Sequence, residues 1–136
     1  MYTFSFERLD VWKKSRNLAK RIYELTRLFP DLEKFGISSQ LRRAAISICS
    51  NIAEGSSRIS KKDQAHFYNM AYSSLMETLN QIILCDDFNY IDNKVLLELR
   101  KEITTVSILL GKLCRYARDT VKKDSGIRSL PYDSNE

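Results

Sequence analysis

Apolar residues recur along this chain at steps of three and four, the spacing that stacks side chains on one face of an α-helix. Val11, Ser15, Leu18, Ile22, Leu25 and Phe29 keep that rhythm, with Trp12, Ala19, Tyr23 and Thr26 at its flanks, until Pro30 stops it. The spacing predicts a first helix over about residues 8–29. A short loop, PDLEKFG, follows, and Gly36, Ser38 and Ser39 supply flexible backbone and candidate N-caps for the next helix.

In the second predicted helix, 38–54, the polar residues are periodic as well. Gln40, Arg43, Ser47, Asn51, Glu54 and Arg58 share one face, opposite Ile37, Leu41, Ala45, Ile48 and Ile52. Ile46, Cys49 and Ala53 widen the apolar side, so this helix should be touched from more than one direction. Gly55 is placed to end it in the left-handed conformation. Ser60-Lys61-Lys62-Asp63 then fits a capping box for a third helix, 61–88. There Phe67, Ala71, Leu75, Leu79, Ile82 and Ile83 cover one side, and Asn69, Ser73, Glu77 and Asn80 the other. Asp92 is the candidate N-cap of a fourth helix, 93–122, whose Leu96, Leu99, Ile103, Val106, Leu110, Leu113 and Ala117 make the most regular seam in the chain. Residues 124–136 lose the pattern and read as a flexible C-terminal tail. Short connections make consecutive helices antiparallel, so the expectation is an all-α, up-down-up-down four-helix bundle over 1–123.

Composition agrees with long helices, since 136 residues contain only four Gly and two Pro. That length can bury a core without disulfides or metal. Cys49, Cys85 and Cys114 each fall in a helical apolar run with no CxxC pair, which reads as buried small hydrophobes in a reducing compartment. The N-terminus lacks a signal-peptide pattern and no apolar run approaches about 20 residues, so a soluble, cytoplasmic protein with no membrane partner is expected.

Net charge changes the picture further. At +5 it favours an anionic partner. The expected topology gathers the start of helix 1, the turn between helices 2 and 3, and the end of helix 4 at one pole. Lys13, Lys14, Arg16, Arg58, Lys61, Lys62, Arg115, Arg118, Lys122 and Lys123 would meet there, with Asp31, Glu33, Asp86, Asp87 and Asp92 at the other end. A basic pole of this kind can hold phosphates; the plainer reading is a soluble surface. Tyr2, Phe4, Phe6 and Tyr116 could stack on unpaired bases, whereas Trp12 is assigned to the core. Phe4 and Phe6, ahead of any helix, would otherwise pack on a neighbour.

Catalytic chemistry finds little support. His66 is the only histidine, and neither a nucleophile elbow nor a Gly-rich phosphate loop is present. Asp63-x-x-His66 has the spacing of bundle metal sites, but a di-iron bundle needs that motif twice plus two further Glu residues. A capping Asp and a surface His account for it more simply. A metal-dependent enzyme would have to use Glu54, Glu77 and His66; no catalytic, cofactor-binding or metal-binding residue is assigned. Glu77 borders the apolar face of its helix, where a carboxylate is costly unless paired. Arg42 or Arg43 is its expected partner, and a solvated carboxylate is the alternative.

The segments LDVWKKSRNLAKRIYELTRLFP, FGISSQLRRAAISICSNIAEGSSR and FYNMAYSSLMETLNQIILCDDFNYI resemble the four-helix bundle family encoded by intervening sequences of bacterial 23S ribosomal RNA genes. The likeness runs from about Phe4 to Arg118, and QLRRAA with SNIAEG and Arg58 is its most specific part. That family is similar in turn to the accessory protein of diversity-generating retroelements, a bundle that forms a pentameric ring and binds nucleic acid and its reverse transcriptase. The resemblance implies a homo-oligomer, a pentamer, without enzymatic activity. The family's polar set falls on Gln40, Arg42, Arg43, Asn51, Glu54, Gly55, Arg58 and Glu77. Ser73, where members often have Gly or another small residue, and Leu79, where a second acid often stands, depart from the pattern. A subunit interface would explain the wide apolar coverage of helix 2 and the N-terminal aromatics. Repeated around a ring, the basic pole would become a collar whose field reaches about 10 Å at 0.1 M salt. The expected function is sequence-independent binding of RNA or DNA by that pole; the alternative is a scaffold that docks a partner protein.

Overall fold

The computed structural model describes residues 1–124. Among them are four long helices and no strand: α1 (Asp10–Thr26), α2 (Ile37–Ser57), α3 (Lys61–Asp87) and α4 (Asn93–Asp124). Two short 3-10 turns, Ser5–Arg8 and Asp31–Glu33, precede α1 and α2. The predicted tail beyond Asp124 lies outside the described residues. No helix among them is long and apolar enough to cross a membrane.

The helix ends have local causes. α1 stops three residues short of Phe29 because the Leu28 and Phe29 amides bond back to the Leu25 and Thr26 carbonyls, at 3.0 and 3.2 Å, tightening the last turn. Pro30 also disfavours helical backbone at Phe29, which nevertheless buries its ring. α2 starts at Ile37 and uses neither candidate serine as its cap. Gly36 precedes it, the Glu33 carboxylate accepts the Ile37 amide at 3.2 Å, and Ser38 is buried inside the first turn. At α3 the Ser60 hydroxyl accepts the Asp63 amide at 3.1 Å, while Asp63 itself stays exposed. At α4 the Asp92 carboxylate accepts the Val95 amide at 2.9 Å, as the N-cap reading expects.

Gly55 overturns the expectation placed on it. α2 runs through this residue to Ser57 and is closed by an extended Arg58 (φ −76°, ψ 142°). The left-handed residue lies elsewhere, at Asn89 (φ 63°), where the Asn89 and Tyr90 amides close α3 on the Asp86 and Cys85 carbonyls. Gly55 instead permits a close approach: a Cβ there would stand 2.7 Å from Cε1 of the buried Tyr68 ring.

The core follows the predicted seams. In α4, Leu96, Leu99, Ile103, Val106, Leu110 and Ala117 are buried and Leu113 is half-buried. In α1, Val11, Leu18 and Ile22 are buried, and Ser15 joins them by donating its hydroxyl to the Val11 carbonyl at 2.7 Å. α2 packs on α1 and α3, α3 also on α4, and α4 on α1. Numbering runs in opposite senses across the α1–α2 and α2–α3 sides. Arg42 meets Tyr23 and Ser56 meets Ser5; Ser47 meets Ser74 while Gly55 meets Tyr68. Ile46, expected to widen the buried side of α2, is 46% exposed.

The two helical glycines should respond oppositely to alanine. Gly55→Ala should destabilise by about 1–3 kcal/mol, because the new Cβ would press on the buried Tyr68 ring and on Phe67 Cβ. Gly111→Ala should stabilise by up to about 1 kcal/mol, since its Cβ would meet only the mobile end of Arg115. Leu110→Ala should cost about 2–5 kcal/mol. Urea unfolding midpoints check all three; equal shifts for the two glycines would refute the packing role of Gly55.

Candidate nucleic-acid interface

The cations singled out by sequence fall into two groups. The first is tied together around the turn between α2 and α3. The Arg58 guanidinium lies 4.6 Å from the Phe67 ring centre, and the Arg58 carbonyl accepts the Gln64 amide at 2.8 Å. Lys61 donates to the other end of that amide at 3.1 Å and lies 5.0 Å from the Tyr116 ring centre, joining the start of α3 to the end of α4. Arg118 follows, 3.6 Å from Asp119, and Lys122 is half-buried in the last turn. Ser5 meets Ser56 at 3.1 Å, bringing the N-terminal turn against the end of α2.

The second group belongs to α1. Lys13 and Lys14 are exposed on its first turn, and Arg16 lies 5.5 Å from the Trp12 ring centre. Among the described residues no hydrogen bond, ion pair or ring contact joins these three to Arg58, Lys61 or Lys62. Lys13, Lys14 and Lys62 are exposed and make no ion pair among the described residues. Phe6 and Trp12 pack edge to face at 5.0 Å, and Tyr2 and Phe4 do so at 5.1 Å in the exposed N-terminal segment. Trp12 is half-buried, with one side on the core and the other in an open groove of about 630 Å³ shared with Arg16, Ala19, Tyr23, Ile46 and Cys49.

The polar set of α2 and α3 divides in the same plain way. Arg42 stacks 4.7 Å above the Tyr23 ring centre and donates to the Thr26 hydroxyl at 2.7 Å, fastening α2 to α1. Asn51, buried, donates to the Ser47 carbonyl and hydroxyl at 2.9 and 3.0 Å, and Ser47 reaches Ser74 of α3. Gln40, Arg43, Glu54 and Glu77 face outward. The expected Glu77 pair with Arg42 or Arg43 does not form. Glu77 accepts the Gln81 amide at 3.2 Å one turn along its own helix, because Arg42 is already committed to α1. The ion pairs of Arg21 with Glu98 and Glu102 join α1 to α4 instead, and those carboxylates raise the guanidinium pKa against the opposing effect of burial.

Two anchors escaped sequence reasoning. Glu33 accepts the Tyr90 hydroxyl at 2.9 Å as well as the Ile37 amide, tying the loop after α1 to the loop after α3. That hydrogen bond holds the Tyr90 proton, raising its pKa. Thr26, buried at the end of α1, serves Arg42; its place beside the apolar seam was the available signal. Asp63 and His66 are exposed, and no group of three His, Cys, Asp or Glu side chains suited to a metal gathers among the described residues.

All three cysteines are free thiols. Burial pushes Cys49 and Cys85 up to about 11, and Cys114 upward as well. An exposed thiol ionises near pH ~8.5, so above that pH the unfolded chain releases protons that the folded chain retains. Stability should therefore hold through neutral pH and fall as pH rises from about 8.5 towards 11. Urea midpoints at pH 7, 8, 9 and 9.5 measure this, and the slope should flatten in a Cys49→Ala/Cys85→Ala variant; an unchanged slope would assign the loss to other groups.

Comparison with known proteins places this arrangement. The family model for the 23S rRNA-intervening sequence protein matches residues 7–112. A crystal structure of a protein of unknown function from the S23 ribosomal protein family of Bacteroides thetaiotaomicron is similar in fold, with a TM-score of 0.71 and 28% identity over 76% of this chain and 97% of that one. No curated protein matches.

Proposed function

The chain belongs to the 23S rRNA-intervening sequence protein family, and from there we propose that it is a non-catalytic, homo-oligomeric helical bundle that binds RNA or DNA through its basic residues with little regard to sequence. The observation that carries the reading is the cluster at the turn between α2 and α3. Arg58 and Lys61 are held against aromatic rings without an ion pair, next to an exposed Lys62 that also makes none among the described residues. Cations positioned in advance lose less freedom when they meet phosphates. The opposed numbering across neighbouring helices supports an up-down-up-down arrangement, in which Lys13, Lys14 and Arg16 share the pole with Arg58, Lys61, Lys62, Arg115, Arg118 and Lys122. Self-association, in a pentameric ring on the family likeness, uses the groove beside Trp12 and Ile46, an apolar surface that the single chain leaves open. A cytoplasmic location goes with this reading.

One observation favours a second reading, docking of a partner protein. Leu28, Leu32 and Phe35, around the loop after α1, are 84%, 78% and 90% exposed. Apolar side chains so open, close together in the chain, suit a protein surface better than a phosphate backbone.

Binding to an unstructured oligonucleotide, followed by fluorescence anisotropy, should weaken steeply with salt, with a log–log slope of about −0.7 per neutralised phosphate. An Arg58→Glu/Lys61→Glu/Lys62→Glu variant should lose at least about tenfold in affinity and show a shallower slope. Affinity that is flat with salt would refute the nucleic-acid reading. Capture of the same partner protein after nuclease treatment would then support the scaffold. A monomeric mass by light scattering would refute self-association.

A further inference from the structure

We propose that the groove between α3 and α4 receives one unpaired nucleotide of the bound strand, its base against Tyr72 and its phosphate on Arg115 and Arg118. The inference rests on the nucleic-acid reading above and names the ligand more closely. The groove measures about 440 Å³, with Asn69 and Tyr72 on the α3 wall and Ile108, Gly111 and Arg115 on the α4 wall. That volume suits a small ligand, for which clefts of about 300–1,000 Å³ are usual.

Gly111 is the telling residue. Glycine is among the poorest helix formers, yet this one sits inside a helix of 32 residues. The fold does not require it. Its backbone is helical, and a Cβ would meet only Nη1 of the exposed Arg115, at 3.4 Å. Gly55 makes the contrast, since there the facing Tyr68 ring forbids a side chain. What the missing side chain at 111 does is keep the groove open.

The walls match the parts of a nucleotide. Tyr72 and Ile108 are 38% and 55% exposed, leaving apolar surface for a flat ring. The Asn69 amide and the Ser107 hydroxyl have no hydrogen-bond partner among the described residues, so donors and acceptors are free for a base edge. Arg115 makes no ion pair among those residues, and Arg118 has only the exposed Asp119 at 3.6 Å, a contact weak enough for a phosphate to displace. Tyr116, next along α4, carries Lys61 from the turn cluster, so the groove opens beside the cations already described. A base inside a duplex has both faces covered by its neighbours and cannot enter, which makes the ligand an unpaired one.

The test compares a single-stranded oligoribonucleotide containing a fluorescent adenine analogue with a blunt duplex of the same sequence, on the full chain. The single strand should bind more tightly than the duplex, and the analogue should be quenched by stacking. Tyr72→Ala and Gly111→Leu should each weaken single-strand binding about tenfold while leaving the duplex unaffected, and Tyr72→Phe should retain the preference. Leucine is a strong helix former and circular dichroism checks that the Gly111→Leu variant is folded. If both variants bind the single strand as the wild type does, the groove assignment is overturned and the nucleic-acid reading stands on the triple glutamate variant. If the wild type binds neither strand, that reading fails and the groove falls with it.

Discussion

Close approach of α2 to α3 is the constraint on which the rest of the bundle depends. It is reached by removing side chains from the contact: Ala45 and Ala71 are fully buried, and Gly55 lies against the Tyr68 ring where even a methyl group would clash. Small residues bring two backbones near, and the short hydroxyls of Ser47 and Ser74 then reach each other directly, with Asn51 completing the set. α2 also holds α1, through Arg42 to Thr26 and Tyr23. Within QLRRAA and SNIAEG, Arg42, Ala44, Ala45, Asn51 and Gly55 therefore serve packing, while Gln40, Arg43 and Glu54 face outward.

A second economy governs the charges. Arg16, Arg42, Arg58 and Lys61 each lie over an aromatic ring of a neighbouring turn or helix. A ring face attracts a cation without neutralising it. An acid in the same place would hold the side chain as well but cancel its field. The molecule thus combines positioned side chains with retained positive charge, which is what an anionic polymer would meet.

The periodic parts of the fold were legible because they depend on one helix at a time. The α4 seam from Leu96 to Ala117, the α1 series from Val11 to Ile22, and the caps at Ser60 and Asp92 all follow from spacing or from residues three apart. Gly55, Glu77 and Glu33 were not legible, since what each does is decided by a partner elsewhere. Tyr68 determines why 55 is glycine, the commitment of Arg42 to α1 leaves Glu77 to Gln81, and Tyr90 meets Glu33 from a loop 57 residues away. The candidate site divides likewise. Its cations stand out in the sequence; the Tyr116 ring beside Lys61, and the open ground over Gly111, come into place only once α3 lies beside α4.

The Arg21 pairs with Glu98 and Glu102 bear on what it costs the chain to close. Every other contact between two of the four long helices joins helices adjacent in sequence, whereas this one closes a span of 77 residues. Closing a long span costs more chain entropy than closing a short one, so the α1–α4 edge carries the largest closure cost of the contacts between long helices. The charges at that edge are partly exposed and only modestly stabilising, so the edge relies on its buried apolar residues rather than on its ion pairs. The buried Leu18 and Ile22, and the Arg42 contacts to Thr26 and Tyr23, are then what hold α1 in place beside that polar edge.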